Sequence, residues 1–182
     1  MRFSIWKERN GAKQSFAEAK QFASGKAPYN MLTIVGGVGC GKTHLATAIG
    51  WDWLEAGRLV LFYQTERLLD NLRASFDLPR QTAGEISDPT FEQRMSWIML
   101  CDLLVLDDLG VEKLTDWARA KLDMIVDHRY LHEMAIVLTT NLGIGELPER
   151  IADRLADRQR SRIARLSCPS YRRLPPPTAK DT

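Results

Sequence analysis

The chain has no apolar run approaching the roughly 18–20 residues of a membrane span. Its first ten residues mix Arg2, Lys7, Glu8 and Arg9 with apolar side chains, which is unlike the uninterrupted apolar stretch of a secretory signal. These absences predict a soluble, cytoplasmic protein with no membrane partner. Cysteine is scarce: Cys40, Cys101 and Cys168 are odd in number and widely spaced, and no Cys-x-x-Cys occurs. That excludes a disulfide framework and a cysteine zinc site. His44, His128 and His132 lack metal-ligand spacing; His128 and His132 share a helix face with no third ligand near them in sequence. There is no internal repeat. A net charge of +2 says little about nucleic acid.

What is present reads as an α/β protein of 182 residues, long enough for one domain with a real core. Residues 1–30 form an entry segment in which Ala12, Phe16, Ala19 and Ala23 fall on one helical face, ended by Gly25 and Pro28. Apolar runs at 31–35, 59–63, 103–106 and 135–139 predict buried strands, and 162–167 predicts a fifth. Helices are expected over 42–56, 65–76, 91–100, 115–133 and 148–158, with a loop at 77–90 containing Pro79, Gly84 and Pro89. Strands that alternate with helices and are apolar on both faces imply a parallel five-stranded sheet covered on both sides. The expected organisation is therefore an entry segment (1–30), a nucleotide-binding domain (31–173) and a disordered proline-rich tail (174–182).

Residues 36–43 read Gly-Gly-Val-Gly-Cys-Gly-Lys-Thr and meet the pattern Gly-x4-Gly-Lys-Thr. A polyphosphate needs a concave set of backbone N–H donors, and glycines let the chain turn with positive φ and approach the phosphates closely. Gly36, Gly37, Gly39 and Gly41 supply that freedom, with Val38 and Cys40 between them. The helix that follows aims its N-terminus at the same anion. In this P-loop reading Lys42 reaches the β- and γ-phosphates, the Thr43 hydroxyl binds Mg²⁺, and His44 borders the site. ATP and Mg²⁺ are the expected cofactors.

The strand at 103–106 ends in Asp107 and Asp108, placing carboxylates beside the loop at the sheet's C-terminal edge. Asp107 is the candidate to hold Mg²⁺, and Asp108 to polarise the attacking water. The run 136–141 ends in Asn141, a candidate for the γ-phosphate or the water, with a turn or cap residue as the alternative. Between 150 and 173, eight arginines stand against Asp153 and Asp157, an excess of 8 − 2 = 6 charges that predicts anionic partners.

Gly-Lys-Thr-His-Leu-Ala (41–46), Leu-Asp-Asp-Leu-Gly (106–110), Thr-Thr-Asn (139–141) and Glu-Arg-Ile-Ala-Asp-Arg (149–154) resemble the AAA+ ATPases of the DnaC/DnaI helicase-loader and IstB transposition-helper group. The resemblance spans about residues 30–173. It implies ATP hydrolysis, homo-oligomers bridged by ATP, engagement of single- or double-stranded DNA, and a replicative helicase or transposase as partner. It further implies that Asn141 is sensor 1, that Arg154 is an arginine finger acting on a neighbour's ATP with Arg150 and Arg158 one turn either side, and that Arg172, in Tyr171-Arg172, is sensor 2. About 30 residues precede the first strand, too few for an independent folded domain of the kind helicase loaders carry there. A small-molecule P-loop kinase and a nucleotide-binding regulator with little turnover are the competing readings; the double aspartate with Asn141 and Arg154 fits hydrolysis better. Trp51, Trp53, Trp97 and Trp117 read as core or interface residues, whereas Trp6 and Phe3 precede the core and could approach an adenine.

Overall fold

The computed structural model describes residues 1–7, 10–76, 88–110 and 115–171. Five strands form one sheet: β1 (Met31–Gly36), β2 (Val60–Gln64), β3 (Leu103–Asp107), β4 (Ala135–Thr140) and β5 (Ser161–Leu166). Their order is β2-β3-β4-β1-β5 and every pairing is parallel. Among the described residues six α-helices connect and cover them: α1 (Lys13–Ala23), α2 (Lys42–Glu55), α3 (Thr65–Ala74), α4 (Phe91–Leu100), α5 (Asp116–Leu131) and α6 (Glu149–Ala156).

The period-2 alternation of a strand divides the core into two layers. Leu103 and Val105 of β3, Val137 of β4 and Leu32 and Ile34 of β1 face α1 and α2. Leu104 and Leu106, Ile136 and Leu138, and Met31 face α3–α6 on the other side. The entry helix α1 is part of the first layer, with Ala19 and Phe22 buried there. Helix starts follow local chemistry. Thr90 and Gln93 close a reciprocal capping box at α4, and the Thr115 hydroxyl accepts the Ala118 N–H at α5.

One strand departs from expectation. The run at 59–63 predicts a buried strand, but β2 lies at the sheet edge with only β3 beside it, and Phe62 is 40% exposed. Its position in the order, set by crossovers from distant residues, leaves part of its surface uncovered. Of the predicted 77–90 loop, residues 77–87 lie outside the described residues, as does the predicted tail at 174–182. No helix among the described residues is long and apolar enough to cross a membrane.

Candidate functional site

β1 delivers the chain to the C-terminal edge of the sheet, where residues 36–41 turn tightly into α2. Gly36 leaves no room for a side chain: a Cβ there would lie 2.7 Å from the Leu166 carbonyl oxygen and 2.8 Å from Cys40 Sγ. Gly41 adopts φ +105°, and a Cβ on it would meet the Trp6 ring at 2.8 Å. α2 begins at Lys42 with a glycine cap that offers no side-chain acceptor, so its first N–H groups stay available to an anion. A cavity of about 550 Å³ opens over this turn, lined by Trp6, Gly39, Lys42, Asp108, Asn141 and Tyr171 among others.

Lys42 is only 5% exposed. Its ammonium donates to the Gly37 carbonyl at 3.1 Å and to Asn141 Oδ1, and no carboxylate among the described residues pairs with it. A buried cation held by neutral oxygens, with a third N–H left over, is suited to a phosphate.

Behind Lys42 the acidic end of β3 is tied to α2 and β4. Thr43 Oγ1 donates to the Asp107 carboxylate, at 3.1 Å from Oδ1 and 2.9 Å from Oδ2. Thr139 Oγ1 donates to Asp107 Oδ1 at 2.6 Å and accepts the Asp108 N–H at 2.9 Å. Burial pushes the Asp107 carboxyl above its ordinary range and the Asp108 charge adds to this, while the bonds from Thr139 and Thr43 and the Lys42 charge oppose it. A buried carboxylate beside a threonine hydroxyl is an oxygen donor pair of the kind Mg²⁺ accepts. Among the described residues there is no cluster of three or more His, Cys, Asp or Glu, so no all-protein metal cage competes with that reading.

Asp108 sits at φ +58°, a left-handed conformation that costs a non-glycine residue about 1 kcal/mol or more. Thr139 holds it there through the bond to its N–H and a second one, Leu109 N–H to the Thr139 carbonyl at 2.8 Å. The strained turn aims Asp108 into the cavity, whereas Asp107 stays buried. Thr139 was not among the expected site residues; the Thr-Thr ahead of Asn141 was its only trace in the sequence.

The remaining expected residues divide. Val38 projects to solvent, and Cys40 is buried behind the loop, its carbonyl accepting Cys168 Sγ at 3.4 Å. His44 lies against the Arg2 carbonyl at 2.9 Å and edge-on to Trp6. Trp6 lines the cavity, whereas Phe3 packs edge-on against Phe16. Residues on either side of the fold close over the loop: Tyr171 N–H donates to the Gly39 carbonyl at 2.8 Å, and Tyr171 Oη donates to the Lys7 carbonyl at 2.5 Å. Arg154 does not line this cavity; it stands on α6 and bonds Asp127 and Asp153. Arg172 lies outside the described residues.

The arginine excess needs a correction. Arg150 and Arg154 pair with Asp127, Arg154 also with Asp153, and Arg160 with Glu133, so part of the cluster finds its anions within the chain. Arg158, Arg162 and Arg165 form no ion pair among the described residues. A larger hollow of about 690 Å³ opens at the opposite end of the strands, lined by Tyr29, Trp53, Arg58 and Glu133 among others. It shares no lining residue with the cavity over the 36–41 turn.

Comparison with known proteins gives a family and a fold. The family of IstB-like ATP binding proteins matches residues 18–167. The chain is 28% identical over 158 residues to the uncharacterized protein YdaV of Escherichia coli K12, covering 86% of this chain and 60% of that protein. It is 26% identical over 155 residues to the replicative helicase loader DnaC of the same strain, covering 84% and 60%. It thus spans about 60% of the length of the curated relatives it matches. A crystal structure of the DnaC helicase loader superposes with a TM-score of 0.74 at 23% identity, covering 91% of this chain and 96% of that one. AMPPCP-bound DnaA from Aquifex aeolicus superposes at 0.76 and 19% identity, covering 91% and 49%. The fold is that of a P-loop AAA+ core.

Proposed function

This chain belongs to the family of IstB-like ATP binding proteins, and we propose that it is an Mg²⁺-dependent AAA+ ATPase of helicase-loader type. It would couple ATP to engagement of DNA and of a replicative helicase. The observation that carries the hydrolytic part is the Thr43–Asp107–Thr139–Asp108 chain of hydrogen bonds beside the buried Lys42. Backbone N–H groups of residues 37–43 and the start of α2 would cradle the phosphates, with Lys42 neutralising the β and γ groups. Thr43 and Asp107 would hold Mg²⁺, which supplies charge neutralisation at the phosphates. Asp108 orients the attacking water and Asn141 fixes Lys42 or the γ-phosphate. Trp6 and Tyr171 offer apolar walls for adenine, and Arg172 remains a proposed contact to the same nucleotide.

Arg154, in this reading, acts on ATP bound by an adjacent copy. An arginine supplied in trans is worth about 10³-fold or more and makes turnover depend on assembly. The helicase-loader direction rests on the sequence match to DnaC. DNA engagement rests on the same match and on Arg158, Arg162 and Arg165, whose contacts to phosphate would weaken steeply with salt. The chain spans about 60% of the length of DnaC, so the DNA and helicase roles are proposals for it.

The test is ATPase rate against protein concentration, with and without single-stranded DNA. A superlinear rise, steepened by DNA at low salt, is expected. A linear rate unaffected by DNA would reject assembly and DNA coupling together. Mixing Arg154→Ala with Lys42→Ala protein should restore partial hydrolysis at shared interfaces, and failure despite confirmed assembly would count against Arg154.

Thr139→Val separates chemistry from binding. It removes the hydroxyl that holds both Asp107 and the strained Asp108 turn. Turnover should fall about 10–100-fold, as misplacing a catalytic group does. ATP affinity should shift far less. Stability should drop by about 1–3 kcal/mol for the unpaired Asp108 N–H. Wild-type turnover in this variant would show that the turn holds itself.

A further inference from the structure

Two guanidiniums from successive turns of α6 converge on one carboxylate of α5. Arg154 Nε donates to Asp127 Oδ1 at 3.0 Å, and Arg150 Nη2 donates to Asp127 Oδ2 at 3.0 Å. With both oxygens engaged, the carboxylate cannot rotate freely. Its side chain is only 19% exposed.

The two arginines are held differently. Arg150 is 67% exposed and makes this one contact, whereas the Arg154 side chain is 30% exposed and is gripped from three directions. Asp127 takes Nε, Asp153 Oδ2 takes Nη1 at 2.8 Å, and the Tyr130 ring lies 4.9 Å from the guanidinium carbon. The ring is itself fixed, because Tyr130 Oη donates to Asp157 Oδ2 at 2.7 Å and the Arg160 guanidinium packs 5.0 Å away. Arg158, one turn on, is exposed with no ion pair among the described residues.

A guanidinium has five N–H donors in a rigid fork. In Arg154 one at Nε and one at Nη1 are used, which leaves one N–H on Nη1 and both on Nη2 without a hydrogen bond among the described residues. The Asp153 side chain is 71% exposed, and a bond to so solvated a carboxylate is easily exchanged. The Asp127 bond is the sheltered one, and it holds the arginine at the stem end of the fork with the outer edge free.

We propose that Asp127 is a positioning residue for Arg154, anchoring Nε so that the Nη edge is preset for the phosphates of ATP held by a second copy of this chain. The proposal rests on the trans-acting reading of Arg154. An unanchored arginine must freeze several side-chain torsions at each turnover, and a displacement near 1 Å can cost about 10²-fold in rate.

The 182-residue chain is assayed at a concentration that supports assembly, as wild type, Asp127→Asn, Arg154→Ala and the double variant, with ATP affinity and melting temperature measured in parallel. Arg154→Ala should lower turnover on the order of 10³-fold. Asp127→Asn should lower it about 10–100-fold while ATP affinity stays within about twofold, since Asp127 lies off the cavity. In the Arg154→Ala background, Asp127→Asn should cost nothing more, because it acts through that arginine. An added loss there, or a shift in ATP affinity equal to the loss of rate, would mean a general structural role and would overturn the proposal. Wild-type turnover in Asp127→Asn with Arg154→Ala inactive would overturn the positioning role alone. Wild-type turnover in Arg154→Ala would overturn the finger reading and the proposal with it.

Discussion

Lys42→Ala should abolish ATP-dependent behaviour while leaving the nucleotide-free fold as stable as before or slightly more so. The ammonium is buried, forms no ion pair among the described residues, and donates to the Gly37 carbonyl and Asn141 Oδ1. The Asp107 carboxyl feels that charge without bonding to it, so the cost of burying the ammonium is offset only in part. Alanine removes that cost and leaves the Asn141 amide at a cavity that water can fill. The loss falls on the phosphates, which forfeit the ammonium beside them. A single electrostatic donor of this kind is worth about 10²–10³-fold in turnover. Melting curves with and without Mg²⁺-ATP check both halves. At about 100 times Kd, ATP should stabilise the wild type by about 2.7 kcal/mol, roughly 5–10 °C for a chain of this size. The variant should show no such rise. If Lys42→Ala instead lowered the nucleotide-free melting temperature by several degrees, the lysine would be a structural residue.

Arg129→Met should be the most damaging single change to the fold itself. Arg129 is 0% exposed. It donates from Nη1 to the Ile98 carbonyl at 2.9 Å, from Nη2 to the Cys101 carbonyl at 2.9 Å and to the Ala135 carbonyl at 2.6 Å, and from Nε again to Ala135 at 3.1 Å. Those oxygens belong to the last turn of α4, the approach to β3 and the first residue of β4. Burial pulls the Arg129 pKa down, and the Cys101 thiol and the Asp102 carboxylate act against this. The negative end of α4 further favours the cation. Methionine fills similar space but withdraws the donors from the Ile98, Cys101 and Ala135 carbonyls and from those of Met99 and Asp102, each at 3.4 Å. Stripping a partner from such a buried network costs about 3–5 kcal/mol, or roughly 6–20 °C in melting temperature. Lysine should rescue little, since one ammonium cannot reach carbonyls spread around a planar fork. A methionine variant within about 1 kcal/mol of wild type would show that water or local rearrangement satisfies those oxygens.

Arg129 also marks where the sequence stops being legible. It sits between His128 and Tyr130 in a helix rich in charge and reads as one more solvated position; its burial exists only once α4, β3 and β4 meet. The phosphate loop and the paired aspartates are different. Their chemistry lies in contiguous residues, so the fold and the convergence of Lys42, Thr43, Asp107, Asp108 and Asn141 could be anticipated. Thr139 is intermediate: its strand was expected, but its partner Asp107 is 32 residues away. The edge position of β2 was hidden because an apolar run reports a strand and not its neighbours. The arginine excess suggested external anions because charge counted along the chain misses Asp127 and Glu133, which come from α5 and the turn after it.

The Tyr171-to-Lys7 bond bears on how this chain should be handled in experiments. Residues 1–7 and 168–171 meet over the nucleotide turn, so polypeptide joined at Met1, or running on past Tyr171, departs from the rim of the same cavity. A purification tag at Met1 would hang at the mouth of the cleft, and nucleotide affinities should be read after its removal. A fluorophore attached beside Met1 would, by the same proximity, report ATP entry directly.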